Sequence, residues 1–98
     1  MSAGRDMIAR RLLIRGRVQG VGYRFAMVDA AESRGIRGWV RNRRDGSVEA
    51  FVQGDEADVE AIVAWCRRGP PAARVTGVDV EAAAADPALD GFGHQPTS

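Results

Sequence analysis

In the segment Gly16-Arg17-Val18-Gln19-Gly20-Val21-Gly22-Tyr23-Arg24 the residue types suit one task, the holding of a small anion. Glycine reaches backbone conformations closed to other residues, so Gly16, Gly20 and Gly22 allow successive peptide N–H groups to turn toward a common point. If a helix starts where the glycines end, its first amides add free donors and a positive partial charge. Arg24 is then a cation in a first helical turn, where the macrodipole disfavours it unless an anion binds alongside. On residue type alone, Arg24 is equally explained by a side chain that reaches solvent or pairs with an acid. No Gly-Lys-Ser/Thr follows the glycines, and the spacing and acidic partner of a dinucleotide fingerprint are missing, which disfavours ATP and NAD.

Asn42 is the second candidate. Its carboxamide oxygen can accept a hydrogen bond from a water molecule and fix the direction of approach, although it cannot serve as a base near neutral pH. Taken alone, Asn42 before Arg43-Arg44-Asp45-Gly46 is more readily a turn residue. The chain has one cysteine, Cys66, and one histidine, His94. They leave no thiolate or imidazole set for a metal and no internal disulfide, while a carboxylate-only metal site stays open without a recognisable spacing; no cofactor is expected. Cys66 falls on the apolar stripe of a helix and reads as core, while His94 sits in a loosely patterned tail and reads as exposed.

Charge points to the same half of the chain. Residues 1–49 hold eleven arginines against five acids, and residues 50–98 hold three against eight, for a net charge of +1. An anion is therefore drawn to the first half. All fourteen basic residues are arginine, so any phosphate contact from a basic side chain uses the planar guanidinium fork. No apolar run approaches the roughly 20 residues that span a bilayer, and Met1–Arg10 lacks the apolar centre of a secretory signal. A cytoplasmic protein is the expectation.

Certain elements must position these residues. Residues 1–9 read as a flexible start, and 10–98 as one domain. Arg11–Val18 reads as a buried strand that stops in the glycine cluster. A helix begins near Gly22 or Tyr23, buries Met27, Val28 and Ala31, and ends with Gly35 in a left-handed cap. Residues 36–53 form a hairpin about Asp45-Gly46, with Ile36, Gly38, Val40 and Asn42 on one face and Trp39 and Arg41 on the other. A second helix starts at Asp55, places Val59, Ile62, Val63 and Cys66 on one stripe, and closes at Gly69-Pro70. Arg74–Glu81 reads as a further strand, and Gly91–Gln95 as a short last one. The order strand, helix, strand, strand, helix, strand predicts an α+β, ferredoxin-like βαββαβ sandwich, an antiparallel sheet with two helices on one face.

Together with Gly16–Arg24, the segments Gly38-Trp39-Val40-Arg41-Asn42 and Asp45-Gly46-Ser47-Val48-Glu49 resemble the two signatures of the acylphosphatase family, in order and spacing. The resemblance covers roughly Arg11 to Glu81. It implies metal-independent hydrolysis of the carboxyl–phosphate bond of acyl phosphates, with Arg24 and Asn42 as catalytic residues, one binding phosphate and the other orienting water. Phosphate contacts are expected from Gln19, Gly20, Val21, Gly22, Tyr23 and Arg24. The expected partners are a small acyl phosphate and inorganic phosphate, the latter as product and competitive inhibitor, with no nucleic acid, no membrane and a monomeric state. Two departures from the family pattern are Tyr23, where phenylalanine is more frequent, and a tail, residues 86–98, richer in glycine and proline than a usual last strand.

The chemistry suits the residues independently. The leaving carboxylate has a conjugate acid of pKa about 4, so no strong general acid is needed. What remains is positioning and electrostatics. The arginines Arg41, Arg43 and Arg44 read as a solvated hairpin tip with some capacity to steer an anion. A rival of another class stays open, because sheet-face aromatics such as Trp39 and Phe51 beside arginines can bind single-stranded RNA. So does a phosphate-binding accessory domain of the kind found in larger carbamoyl-transferring maturation proteins.

Overall fold

The computed structural model describes residues 7–98. The chain runs through β1 (Met7–Arg17), α1 (Tyr23–Ser33), β2 (Arg37–Asn42), β3 (Val48–Asp55), α2 (Glu56–Arg68), β4 (Arg74–Ala83) and β5 (Phe92–His94). Its one sheet has the order β4-β1-β3-β2-β5. Strand β1 begins at Met7, opposite Asp55, so residues 7–9 are paired strand rather than part of a flexible start. Residues 1–6 of that expected segment lie outside the described residues.

The elements form where the apolar periods place them. In β1, Leu12 and Ile14 point to the helix side while Arg11 and Arg15 point away. The hairpin buries Val40, Val48, Ala50 and Val52. From the helices come Tyr23, Met27 and Ala31 of α1 and Val59, Ile62 and Cys66 of α2, with Val28 and Val63 packed at the margin. Each aliphatic side chain buried here contributes about 1.5–3 kcal/mol. An exposed pair such as Arg15 with Asp79, at 2.9 Å, contributes roughly 0–1 kcal/mol. The apolar layer, and not surface ion pairing, therefore holds the helices on the sheet.

Two glycines shape the entry to the loop and the edge of the sheet. A register shift between Arg15 and Gly16 against β4 bends the end of β1 toward the glycine turn. Gly16 has φ of 124°, and a Cβ there would overlap the carbonyl of Arg74. At Gly38, φ is 146° and a Cβ would overlap the carbonyl of Phe51.

Three of the strand pairings are antiparallel, but β5 runs parallel to β2, so the sheet is mixed rather than purely antiparallel. Side-chain alternation reports which face a strand buries and carries no information on the direction of an edge strand. That direction is set by the connection from β4, at one edge of the sheet, to the opposite edge. Its course past β3 is held by Gln53, whose amide accepts from Asp86 N–H at 2.8 Å and donates to the Asp86 carbonyl at 2.9 Å.

On the sheet face away from the helices, Trp39 and Phe51 stack at 6.3 Å, and Arg41 lies over the Trp39 ring at 4.9 Å. Glu49, 1% exposed, sits among Arg11, Arg41 and Arg43. Burial alone would raise its pKa; the guanidinium hydrogen bonds from Arg41, Arg43 and Arg11 outweigh burial and hold the carboxyl below the usual range. A carboxyl whose folded pKa is depressed contributes stability that is present above its unfolded value, about 4.3, and lost as pH falls through the folded one. Glu49→Gln is expected to cost on the order of 2 kcal/mol at pH 7. It should also flatten the fall in Tm on acidification from pH 6 to 3, measured by thermal melts of both proteins. Equal slopes would remove this cluster as a source of acid sensitivity.

Candidate active site

Strand β1 and helix α1 are joined by a turn in which Gly20 and Gly22 have φ of 74° and 78°. Gly22 is the N-cap of α1 in the left-handed conformation, with no side-chain cap and no acid in the first turn. Among the described residues, no protein acceptor takes the backbone N–H of Gln19, Gly20, Val21 or Gly22. The turn thus carries free donors at the positive end of a helix dipole.

Across from it lies the end of β2. Gln19 ties the two together, donating from Nε2 to the carbonyls of Arg43 at 2.7 Å and Ser47 at 2.9 Å. The hairpin tip is itself rigidified: Arg43 N–H donates to the Ser47 carbonyl at 2.8 Å, and Asp45 Oδ1 accepts from the Ser47 hydroxyl at 2.6 Å and amide at 2.9 Å. Those bonds, the hydroxyl's first, hold the Asp45 carboxyl below its ordinary range. On the outer side of β2, Gln95 N–H donates to the Val40 carbonyl at 3.0 Å and Ser98 N–H to the Asn42 carbonyl at 3.1 Å. The tail therefore continues alongside β2 as far as Asn42.

Turn and strand end enclose a cleft of about 140 Å³ lined by Val18, Gln19, Gly20, Gly22, Tyr23, Arg24, Phe25 and Asn42. This is well below the roughly 300–1,000 Å³ of a drug-sized pocket and suits an ion of phosphate size. Asn42 Oδ1 is buried without a hydrogen-bond partner, the one such side-chain atom among the described residues. Leaving a buried acceptor unsatisfied costs about 1–3 kcal/mol, so an orphaned oxygen on a residue that lines the cleft points to an absent donor. Arg24, half-buried in the same cleft, has no ion pair among the described residues. Arg41 and Arg43, by contrast, are bound to Glu49 at 2.8 and 3.1 Å, so they are not the free, steering cluster that their place at the hairpin tip suggests.

Five of the six expected phosphate-contact residues line the cleft; Val21 does not, and packs at the margin of the core instead. Tyr23 lines the cleft, with its ring turned into the core. Its ring is buried, 5.5 Å from Trp65, and its hydroxyl donates to the Cys66 carbonyl at 2.7 Å. Burial first, and Cys66 next, push the phenol well above its ordinary pKa, so it stays a neutral donor. Burial likewise pushes the Cys66 thiol up to about 12, which leaves it unreactive. A larger cavity, about 320 Å³, lies between α2 and the sheet edge, lined by Ile8, Arg10, Val59 and Val80 among others; it holds no orphaned polar atom. The double role of Gln19, the Glu49 cluster and the tail contact at Asn42 are all missed by the sequence reading. Only the i, i+2 alternation of Trp39, Arg41 and Arg43 hinted that these side chains would share a face.

Sandwich and cleft put the chain in the class of small α+β domains with a cleft of anion size at a strand-to-helix turn. The Acylphosphatase family model matches residues 10–93. An acylphosphatase of Acidiphilium cryptum is 54% identical over 86 residues, covering 88% of this chain and 93% of that protein. Among solved structures, the acylphosphatase of Bacillus subtilis superposes with a TM-score of 0.86 at 33% identity, over 90% of this chain and 98% of that one. A full-length HypF in a phosphate- and nucleotide-bound form matches with a TM-score of 0.85 at 26% identity, over 95% of this chain but 12% of its own length. The chain belongs to the acylphosphatase family.

The orientation of Tyr23 separates stability from binding. Tyr23→Phe removes the bond to the Cys66 carbonyl and should destabilise by about 1–2 kcal/mol. The corresponding fall in Tm is on the order of 5–10 °C for a domain of this size. Affinity for inorganic phosphate, measured by calorimetry, should stay within about twofold, since no side-chain atom of the ring is asked to contact the ion. A tenfold loss would show that the hydroxyl serves the cleft.

Proposed function

We propose that this enzyme hydrolyses acyl phosphates to a carboxylate and inorganic phosphate, with Arg24 and the amides of residues 19–24 holding the phosphoryl group and Asn42 orienting the attacking water. The observation that carries this division of roles is the orphaned Oδ1 of Asn42, a residue lining the same cleft as an uncompensated Arg24.

The phosphoryl oxygens bind the guanidinium fork and the turn amides, which face charge that spreads over those oxygens in the transition state. A water molecule donates one hydrogen bond to Asn42 Oδ1 and is held in line with the bond to be broken. Its oxygen forms the new P–O bond as the old one breaks. The electron pair leaves on the acyl carboxylate, and the water's surplus proton passes to phosphate or solvent. Because the carboxylate is a good leaving group, no protonated side chain has to assist it. No step calls for a metal or a cofactor.

The same reading has a cytoplasmic monomer acting without nucleic acid or membrane; no helix among the described residues is long and apolar enough to cross a membrane. The RNA reading is disfavoured because Trp39 and Phe51 stack on each other and Arg41 and Arg43 are tied to Glu49. The match to one part of HypF favours a second reading, a domain that binds phosphate without turnover.

Metal-free hydrolysis of acetyl phosphate discriminates between the two. Arg24→Ala should lower kcat/KM by at least ~10²–10³, the scale for losing a preorganised donor to a developing oxyanion. Asn42→Ala should lower kcat while the inhibition constant for phosphate stays within a few-fold. An equal collapse of phosphate affinity in both variants would overturn the assignment of roles, and no turnover by the wild type would leave phosphate binding as the function. Inorganic phosphate is expected to raise KM without changing kcat in initial-rate measurements; a purely noncompetitive pattern would place it outside the cleft.

A further inference from the structure

Phe25 takes no part in the core. The buried stripe of α1 is Tyr23, Met27 and Ala31, and Phe25 stands on the opposite side, 68% exposed. The other large apolar side chains that are exposed, Met7 and Val80, do not line the cleft; Phe25 does, one residue beyond Arg24. It is not alone at the rim. The ring of His94, the last residue of β5, lies against it with centroids 4.9 Å apart and planes tilted by 55°. Two rings from elements distant in sequence thus meet beside the cleft. They meet because β5 runs parallel to β2, which brings its C-terminal end toward the same end of the sheet as Asn42.

A phosphoryl group seated in the cleft has its acyl group attached through a single bridging oxygen. The acyl group must therefore emerge at the rim rather than deep in the core. Flat apolar groups pack on aromatic rings in tilted or offset arrangements, which is the arrangement Phe25 and His94 already adopt toward each other. Resting on the hydrolase reading above, we propose that Phe25 and His94 form a subsite for the acyl group, selecting acyl phosphates whose acyl moiety is a flat, apolar, aromatic-type group over small aliphatic ones. The two residues are specificity-determining; neither takes part in the bond making.

The test is the ratio of kcat/KM for benzoyl phosphate to that for acetyl phosphate, measured for the wild type, Phe25→Ala, Phe25→Tyr and His94→Ala. The wild type should favour benzoyl phosphate. Phe25→Ala should lower the ratio by about 2- to 10-fold, the range of a single aromatic contact, chiefly through KM for benzoyl phosphate. His94→Ala should lower it by a smaller factor, and Phe25→Tyr, which keeps the ring, should retain it. Since Phe25 is outside the core, circular dichroism and Tm of Phe25→Ala should match the wild type, separating lost specificity from lost folding. A ratio unmoved by Phe25→Ala, or a wild type without preference, while acetyl phosphate is still turned over, would overturn the subsite and leave the hydrolase reading standing. If the wild type hydrolyses neither compound, the hydrolase reading falls and the subsite with it.

Discussion

The carboxamide of Gln19 is the join on which the site depends. A flexible glycine turn and a strand end separated by some twenty residues of sequence have no covalent reason to hold a fixed separation. Two hydrogen bonds from one Nε2, to the carbonyls of Arg43 and Ser47, supply that reason. Each neutral bond is worth about 0.5–1.5 kcal/mol net, small beside the core but large beside the freedom of a few loop residues. With this join in place, the glycine turn and Asn42 border one cleft and not two surfaces.

Around that join, cations are sorted by whether a carboxylate is within reach. Arg11, Arg41 and Arg43 converge on Glu49 behind the sheet, and Arg15 meets Asp79. The helix that opens beside Arg24 has no acid in its first turn. Arg24 therefore keeps its full field at the one place where the macrodipole and the turn amides also favour an anion. Because residues 41 and 43 point away from residue 42, anchoring them on Glu49 also fixes the strand from behind while Asn42 faces forward.

Tyr23 couples this arrangement to the core. Its backbone belongs to the turn, whereas its ring and hydroxyl lock α1 onto the C-terminal part of α2 through Trp65 and the Cys66 carbonyl. The first residue of the helix is thus packed from below, and Arg24 projects from a support tied to the core. A site made of loop amides reaches the precision that electrostatic catalysis asks for only when its supports are packed in this manner.

Much of this was legible in the amino-acid order alone. The apolar run of β1 that stops in glycines, the alternation of the hairpin, the stripe of α2 between Asp55 and Gly69, and the left-handed cap at Gly35 are local properties, set by side-chain period and backbone sterics, and they appear as read, though β1 starts earlier, at Met7. Arg24 and Asn42 became candidates through glycine spacing and residue type, and their roles through the resemblance of two motifs to the acylphosphatase signatures. Tertiary structure alone decided what those local rules do not encode. The parallel direction of β5 follows from where the chain crosses the sheet. The bridge made by Gln19, the capture of Arg41 and Arg43 by Glu49, and the meeting of Phe25 with His94 each join residues that touch only after the sheet has closed. Periodicity tells a residue which face it occupies; only packing tells it what stands opposite.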